Sequence, residues 1–469
     1  MPQLIAYFSD MLDRENWQNQ TAVGFSGTLH SELVSAHDLL SSDNPNHYDW
    51  IVGVLGSFTS GQGSLTQQRN LHYVLGRCSL AQYGIEKSHR RSGEHEMASA
   101  ISRFRTALSL AKAQGAWPEA VSLRYWEGTS YHWSEQHKQA YCAYQMSEKL
   151  LGHISPTEMP TSAILAMRFD LALRMAGHAW EYGDFPTAQR HRDEADALYT
   201  QLKNDPRLAH EKFVFESVIA QAHQVDWITA MLANVSGQFI EAYRSIRAAI
   251  NAIETYGHQL NMGRLHAIAA EYAINLVAAQ YPHDPVDHPV FTLPGLLQDT
   301  AYELDRFDMG ELIKFAQHAL TSATGFALDR DDSIGDDLIR LSHRRVARLI
   351  NLIKRVGHSP AETFRIAANI EQVAEQKHDV SLQGRAIMAQ GDALLTPPDT
   401  HANDPLPPGN LAGACYAYAK ALVLFQTHNL GGLSFWPRQK LRALAGRAKA
   451  EGIILPTFAD AEEHTITCP

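Results

Sequence analysis

Two stretches of this chain are written in nearly the same grammar, and that grammar leaves few ways to fold. MAGHAWEYGDFPTAQRHRDEADALY runs from Met175 to Tyr199, and TAMLANVSGQFIEAYRSIRAAINAI runs from Thr229 to Ile253. Each carries a small residue in its first part (Ala176, Ala230), a Gly at the turn (Gly183, Gly237) and a Phe two residues later (Phe185, Phe239). Two alanines seven apart follow, Ala188 and Ala195 in one copy and Ala242 and Ala249 in the other. An antiparallel helical hairpin needs these features: small residues where backbones touch, a Gly to reverse the chain, and an aromatic to plug the open end. Phe239, Ala242, Ile246, Ala249, Ile250 and Ile253 recur at three- and four-residue steps, an amphipathic stripe.

Helix signals continue on both sides of this pair, and strand signals are almost absent, so the expected fold class is all-α. Predicted pairs are Ser64–Glu86 with Glu94–Ala113, Pro118–Glu135 with Lys138–Leu151, Pro160–Tyr182 with Pro186–Leu202, and Pro206–Val235 with Phe239–Thr255. Further helices are expected near Gly295–Leu304, Gly310–Ala323, Asp336–Val356, Pro360–Gln376, Val380–Leu395 and Leu411–Thr427, with Pro437–Ala450 as a terminal cap. Helix starts are marked by a Ser64/Gln67 capping box, by Asp205-Pro206, and by Ser359-Pro360-Ala361-Glu362. Tyr48–Leu55 is an apolar run of either type. The Pro-rich stretches Tyr281–Pro294 and Thr396–Asn410 are expected as surface excursions. The resulting division is an N-terminal segment 1–63, helical repeats 64–280, a Pro-rich loop 281–296, and further hairpins with a capping helix 297–469.

Composition narrows the function classes. At 45% hydrophobic and 19% charged residues, the chain can bury a large core. Forty Lys and Arg against 51 Asp and Glu give a net charge of −11, which argues against a general binder of nucleic acid or anionic membrane. The four cysteines (Cys78, Cys142, Cys415, Cys468) are scattered, with no CxxC, so reduced thiols in a cytoplasmic setting are expected. The start of the chain lacks the basic and apolar regions of a secretory signal, and even the apolar Ala267–Gln280 carries a Glu, so no membrane span is expected.

The hairpins resemble tetratricopeptide-type repeats, through Ala176, Phe185, Ala188 and Ala195, and again through Ala230, Phe239, Ala242 and Ala249. A third copy pairs Gly128 and Tyr131 with Ala140 and Tyr144. Weaker copies pair Ala100 with Ala107, Ala361 with Ala368, and Ala414 with Ala421. Ala140 to Ala188 spans 48 residues and Ala188 to Ala242 spans 54, against about 34 in a regular repeat, so the array is degenerate. The resemblance implies a right-handed superhelix (an α-solenoid) whose concave groove binds a peptide or partner-protein segment, in a scaffold or regulatory role without catalysis. The densest aromatic cluster supplies groove candidates Tyr125, Trp126, Tyr131, Trp133 and Tyr144, to which Trp180 is added; most of these rings are also expected to pack between helices.

Other chemistry is weighed against this. The loop Gly56–Ser64 lacks the Lys of a phosphate loop, with Gln62 and Gly63 in its place. Asp329, Asp331, Asp332, Asp336 and Asp337 are dense enough to hold a divalent cation, and a metal-dependent α-helical enzyme built on them is the alternative reading. An EF-hand, however, would want Gly at Ile334 and Glu at Arg340. The plainer reading is a helix start enriched in acid, and no cofactor is predicted. His283, Asp284, Asp287 and His288 sit in a Pro-rich loop. His95-Glu96 and His210-Glu211 lack the second His of a zinc helix, and no GxSxG occurs. Leu338–Arg355 presents a basic face through Arg340, Arg344, Arg345, Arg348, Lys354 and Arg355, which a solvated outer surface accounts for.

Overall fold

The structure is a computed structural model that describes residues 63–88, 93–205, 212–256, 262–280, 309–328, 360–376, 378–395 and 410–455, together with Tyr48, 51–53, Leu55, Gly56, Phe58, Ile466 and Cys468. Fourteen helices run through the described residues, and no strand occurs among them. They are α1 (Leu65–Ser88), α2 (Glu94–Gln114), α3 (Trp117–Trp133), α4 (His137–Leu151), α5 (Thr161–Tyr182), α6 (Phe185–Asn204), α7 (Lys212–Val235), α8 (Phe239–Tyr256), α9 (Met262–Gln280), α10 (Met309–Leu328), α11 (Pro360–Gln376), α12 (Val380–Leu395), α13 (Leu411–Thr427) and α14 (Gly431–Ala450). Tyr48, Ile51 and Leu55 are helical as well. They bury one face, which settles the ambiguous run before α1.

The chain folds as two compact units. The first comprises Met1–His178, Glu194–Val218 and Cys468–Pro469; the second comprises Ala179–Asp193 and Ile219–Thr467. Neighbours in sequence pack on each other within each unit. In the first, α1 lies on α2, α2 on α3 and α3 on α4. In the second, α8 lies on α9 and α9 on α10, while α11, α12, α13 and α14 pack in succession.

One packing device recurs. In α2, α4 and α13 a buried small residue is followed four positions on by a buried aromatic ring, and three further on by another buried small residue: Ala100-Phe104-Ala107, Ala140-Tyr144-Ser147 and Ala414-Tyr418-Ala421. Each ring lies over a glycine of a neighbouring helix. A Cβ on Gly76 would meet the Phe104 ring at 2.8 Å, one on Gly128 the Tyr144 ring at 2.8 Å, and one on Gly391 the Tyr418 ring at 2.7 Å. Full burial of such a ring contributes about 1.5–3 kcal/mol, and the glycine lets the helix axes come close enough to achieve it. α8 uses Ala242-Ile246-Ala249 in the same way, joining α7 and α9 in one core. In α11 the buried alanines are Ala367 and Ala374, with Ala361 and Ala368 only half-buried, so the predicted register there is one residue off. Both alanine pairs have the right spacing, and only the helix's neighbours choose between them.

The turns recur too. At Gly183 (φ 96°) and Gly237 (φ 75°) the chain enters the left-handed region. The next amide then bonds back five residues, Asp184 N–H to the Ala179 carbonyl and Gln238 N–H to that of Ala233. Glu135, His378 and Asn429 hold the same left-handed conformation with a side chain present, and Gln136, Asp379 and Leu430 make the equivalent bonds. Entries are capped as expected at Ser64, whose hydroxyl accepts from Gln67 N–H (3.2 Å) while Gln67 Oε1 accepts from Ser64 N–H (2.8 Å). Asp184, Asp379 and Asn410 cap α6, α12 and α13.

Two sequence expectations are corrected. α14 begins at Gly431 rather than Pro437, which lies inside the helix. A Cβ on Gly431 or Gly432 would run into the Tyr182 or Trp180 carbonyl oxygen, so the helix start is set by this backbone contact and not by the proline. The cysteines are not all free thiols: Cys142 of α4 is disulfide-bonded to Cys468, leaving Cys78 and Cys415 free and buried. Two half-cystines 326 residues apart show no motif in the sequence. Among the described residues no helix is long and apolar enough to cross a membrane.

Candidate functional site

The most concentrated polar chemistry lies inside the first unit, between α3, α4 and α5. Asp170, Arg174 and His178 are spaced by four along α5 and share one face. Arg174 Nε donates to Asp170 Oδ2 at 3.1 Å. Its guanidinium lies 4.6 Å from the centre of the Tyr125 ring and 5.5 Å from that of Tyr144, with Nη1 3.4 Å from the Tyr144 hydroxyl. Those two rings meet edge to face at 5.3 Å, the packing their quadrupoles favour. The Tyr144 hydroxyl also pairs with Thr129 Oγ1 at 3.2 Å. Beyond Tyr144, His178 stacks on its ring at 5.6 Å and holds His137 Nδ1 to Nδ1 at 3.1 Å, and the His132 ring stands 5.0 Å away.

The charge state follows from burial. Burial works against the Arg174 charge, but Asp170, Tyr125 and Tyr144 outweigh it and raise its pKa. Burial raises both phenols, so they stay neutral. His137 falls to about 4 through burial, and His178 falls well below its usual value through burial, with His132, His137 and Arg174 adding to the effect. Two neutral imidazoles can face each other through Nδ1 only if one donates and the other accepts. The cluster is thus one ion pair set among neutral rings. Arg174 keeps 16% of its side chain exposed and Asp170 keeps 1%.

A second network lines α2 and α3. Glu127 is buried and accepts from Arg105 Nε at 2.8 Å and from Arg124 Nη1 at 2.5 Å, and Arg105 Nη2 donates to the Tyr131 hydroxyl at 2.6 Å. Arg105 keeps 58% of its side chain exposed. Arg77 of α1 lies over the Trp126 ring at 4.0 Å, close enough for a cation–π attraction.

These contacts place the six aromatic candidates. Tyr125 and Tyr144 form the walls around Arg174, Trp126 is buried beneath Arg77, and Tyr131 is buried at the Arg105 bond. Trp133, at 38% exposed, is the one of the six that reaches the surface. Trp180 belongs to the second unit, where it is buried near Phe185, with ring centres 6.5 Å apart. Asp329, Asp331, Asp332, Asp336 and Asp337, and Arg340, Arg344, Arg345 and Arg348, lie outside the described residues, as do His283, Asp284, Asp287 and His288. Among the described residues no group of three or more His, Cys, Asp or Glu is arranged to hold a metal ion. Asp170, Arg174, His137 and His178 were not anticipated. Their signal was a charged pair and a His, four apart, inside the otherwise apolar AILAMRFDLALRMAGHAW of α5.

The second unit has a counterpart. Tyr418 of α13 donates to Asp392 Oδ1 of α12 at 2.6 Å, and Lys440 of α14 pairs with the same carboxylate while lying 5.2 Å from the centre of the Tyr418 ring. Elsewhere in this unit, burial lifts the Glu181 carboxyl to about 7, with Arg385 pulling the other way. No protein-family model matches the chain, and no curated protein matches it.

Proposed function

We propose that this protein is a non-enzymatic helical-hairpin protein resembling tetratricopeptide-type repeats, which binds a peptide or partner-protein segment in the concave groove of a right-handed superhelix. The observation that carries the reading is the recurrence of one packing device: a small residue, a ring or Ile, and a second small residue at steps of four and three on one helix, set against a glycine or alanine of the helix before it. Stacked hairpins of this kind leave side chains of the first helices free to contact a ligand. Around Arg174 the groups are a neutral imidazole pair, neutral phenols and a paired guanidinium, a set suited to holding a polar ligand rather than to moving protons at neutral pH. Exposed Trp133, on α3, the first helix of its hairpin, is the side chain through which a segment would be gripped.

The test is native mass spectrometry of the tagged protein isolated from its own cells, alone and as the Trp133→Ala variant. The expected result is a stoichiometric polypeptide on the parent that is lost from the variant while the melting temperature stays within a few degrees. A bound metal ion or small metabolite with no polypeptide would overturn the reading.

A further inference from the structure

Cys142 sits on a half-buried face of α4, which it shares with Lys138, Gln145 and Met146. It stands two residues before Tyr144 and five after His137, so the helix that carries the disulfide also carries two members of the Arg174 cluster. Cys468 is half-buried as well, leaving the bond within reach of an external thiolate. The other two thiols are poor competitors. Cys78 is fully enclosed and burial pushes its thiol up to about 12, and burial raises that of Cys415 too, so neither supplies a thiolate to reshuffle the bond. Two residues before Cys468, Ile466 N–H donates to Asp184 Oδ2 at 3.0 Å in the second unit. Apart from the disulfide, this is the described contact that fixes the C-terminal residues, and a single hydrogen bond holds a chain end only weakly.

We propose that Cys142–Cys468 is a redox latch: its reduction by a dithiol releases Cys468, and Ile466 two residues before it, from their tether to α4. The dithiol's thiolate attacks one sulfur of the bond and forms a mixed disulfide. Its second thiol then closes on the first, so the reagent leaves as a disulfide and Cys142 and Cys468 each gain one electron and one proton. The packing of α3 on α4 has its own support, from the Gly128–Tyr144 contact and from Ser147 donating to the Val121 carbonyl. This inference is independent of the partner-binding reading.

The experiment uses the full chain purified without reductant. Alkylation with iodoacetamide in denaturant is expected to label two cysteines, Cys78 and Cys415, and all four after dithiothreitol. On the native protein, dithiothreitol is expected to speed amide exchange of the peptide containing Ile466 and Cys468 by about tenfold or more, with helical ellipticity unchanged. The Cys142→Ser variant should already show the fast exchange and not respond to dithiothreitol. Four labelled cysteines without reductant would overturn the proposal, as would exchange that reduction leaves unaltered. Loss of helical ellipticity on reduction would make the bond a staple of the fold and overturn the latch as well.

Discussion

The two units solve the same packing problem with different cations. In the first, Tyr144 lies over Gly128 and its hydroxyl meets Arg174, which is paired with Asp170. In the second, Tyr418 lies over Gly391 and its hydroxyl meets Asp392, which is paired with Lys440. The Arg174 guanidinium is spread between the Tyr125 and Tyr144 rings, whereas the Lys440 ammonium meets the single Tyr418 ring. A planar guanidinium can stack on two faces at once; an ammonium acts as a point charge. One joins two rings and a carboxylate within the first unit, the other pins α12, α13 and α14 together.

The most damaging way to break this comparison is to strip each cation of its carboxylate. Asp170→Ala should cost about 3–5 kcal/mol at pH 7, because the buried Arg174 loses its carboxylate. Asp392→Ala should destabilise as well, because it removes the carboxylate that Tyr418 and Lys440 share. Amide exchange of α5 and α13 peptides reads the two separately, and an unchanged rate in both would dissolve the comparison.

Acid should separate the units next. His137 has a folded pKa of about 4 against 6.5 unfolded, so its contribution is present above 6.5 and lost as pH falls towards 4, about 3 kcal/mol in all; His178 acts in the same direction. Glu181 has the opposite sign. Its folded pKa of about 7 lies above 4.5, so the second unit gains stability from it as pH falls through that window. Exchange measured at pH 7 and pH 5 should therefore loosen α4 and α5 up to His178 more than α12 and α13. Parallel loosening would mean that the His137–His178 pair is not buried as described.

Smaller effects follow. Gly128→Ala and Gly391→Ala should each destabilise by about 1–3 kcal/mol in urea unfolding, because the added methyl meets a fully buried tyrosine and outweighs the gain in helix propensity. Smallest of all, Asn429→Gly and His378→Gly should stabilise by about 0.5–1 kcal/mol by relieving a side chain at positive φ; Gly183→Ala and Gly237→Ala should do the reverse.

Much of the architecture could be read in the chain. The Ser64/Gln67 box, the start of α8 at Phe239, and α11 to α13 fall where caps and three-to-four spacing put them, because these are local signals. α9 has no cap or breaker to announce it and passed as an apolar run, and Pro437 misplaced the start of α14 because a backbone contact across the fold outranks a local helix breaker. The candidate site was legible only in part. Tyr125 and Tyr144 stood out as rings, but whether a ring packs or lines a groove depends on which glycine lies beneath it. Asp170 and Arg174 drew no notice, since spacing by four does not say which side of the helix is inside. The Cys142–Cys468 pairing depends on tertiary proximity alone.

That pairing has a mechanical meaning. The two half-cystines, 326 residues apart, close a covalent ring that contains every residue assigned to the second unit. A force applied between the N-terminus and the C-terminus of the oxidised chain runs through the sulfur–sulfur bond and bypasses the ring. Only the segment ahead of Cys142 and the end beyond Cys468 bear tension, and roughly 1,100 Å of contour stays shielded. In the reduced chain the same pull is borne by every helix in turn, so the redox state decides how much of this protein can be stretched at all.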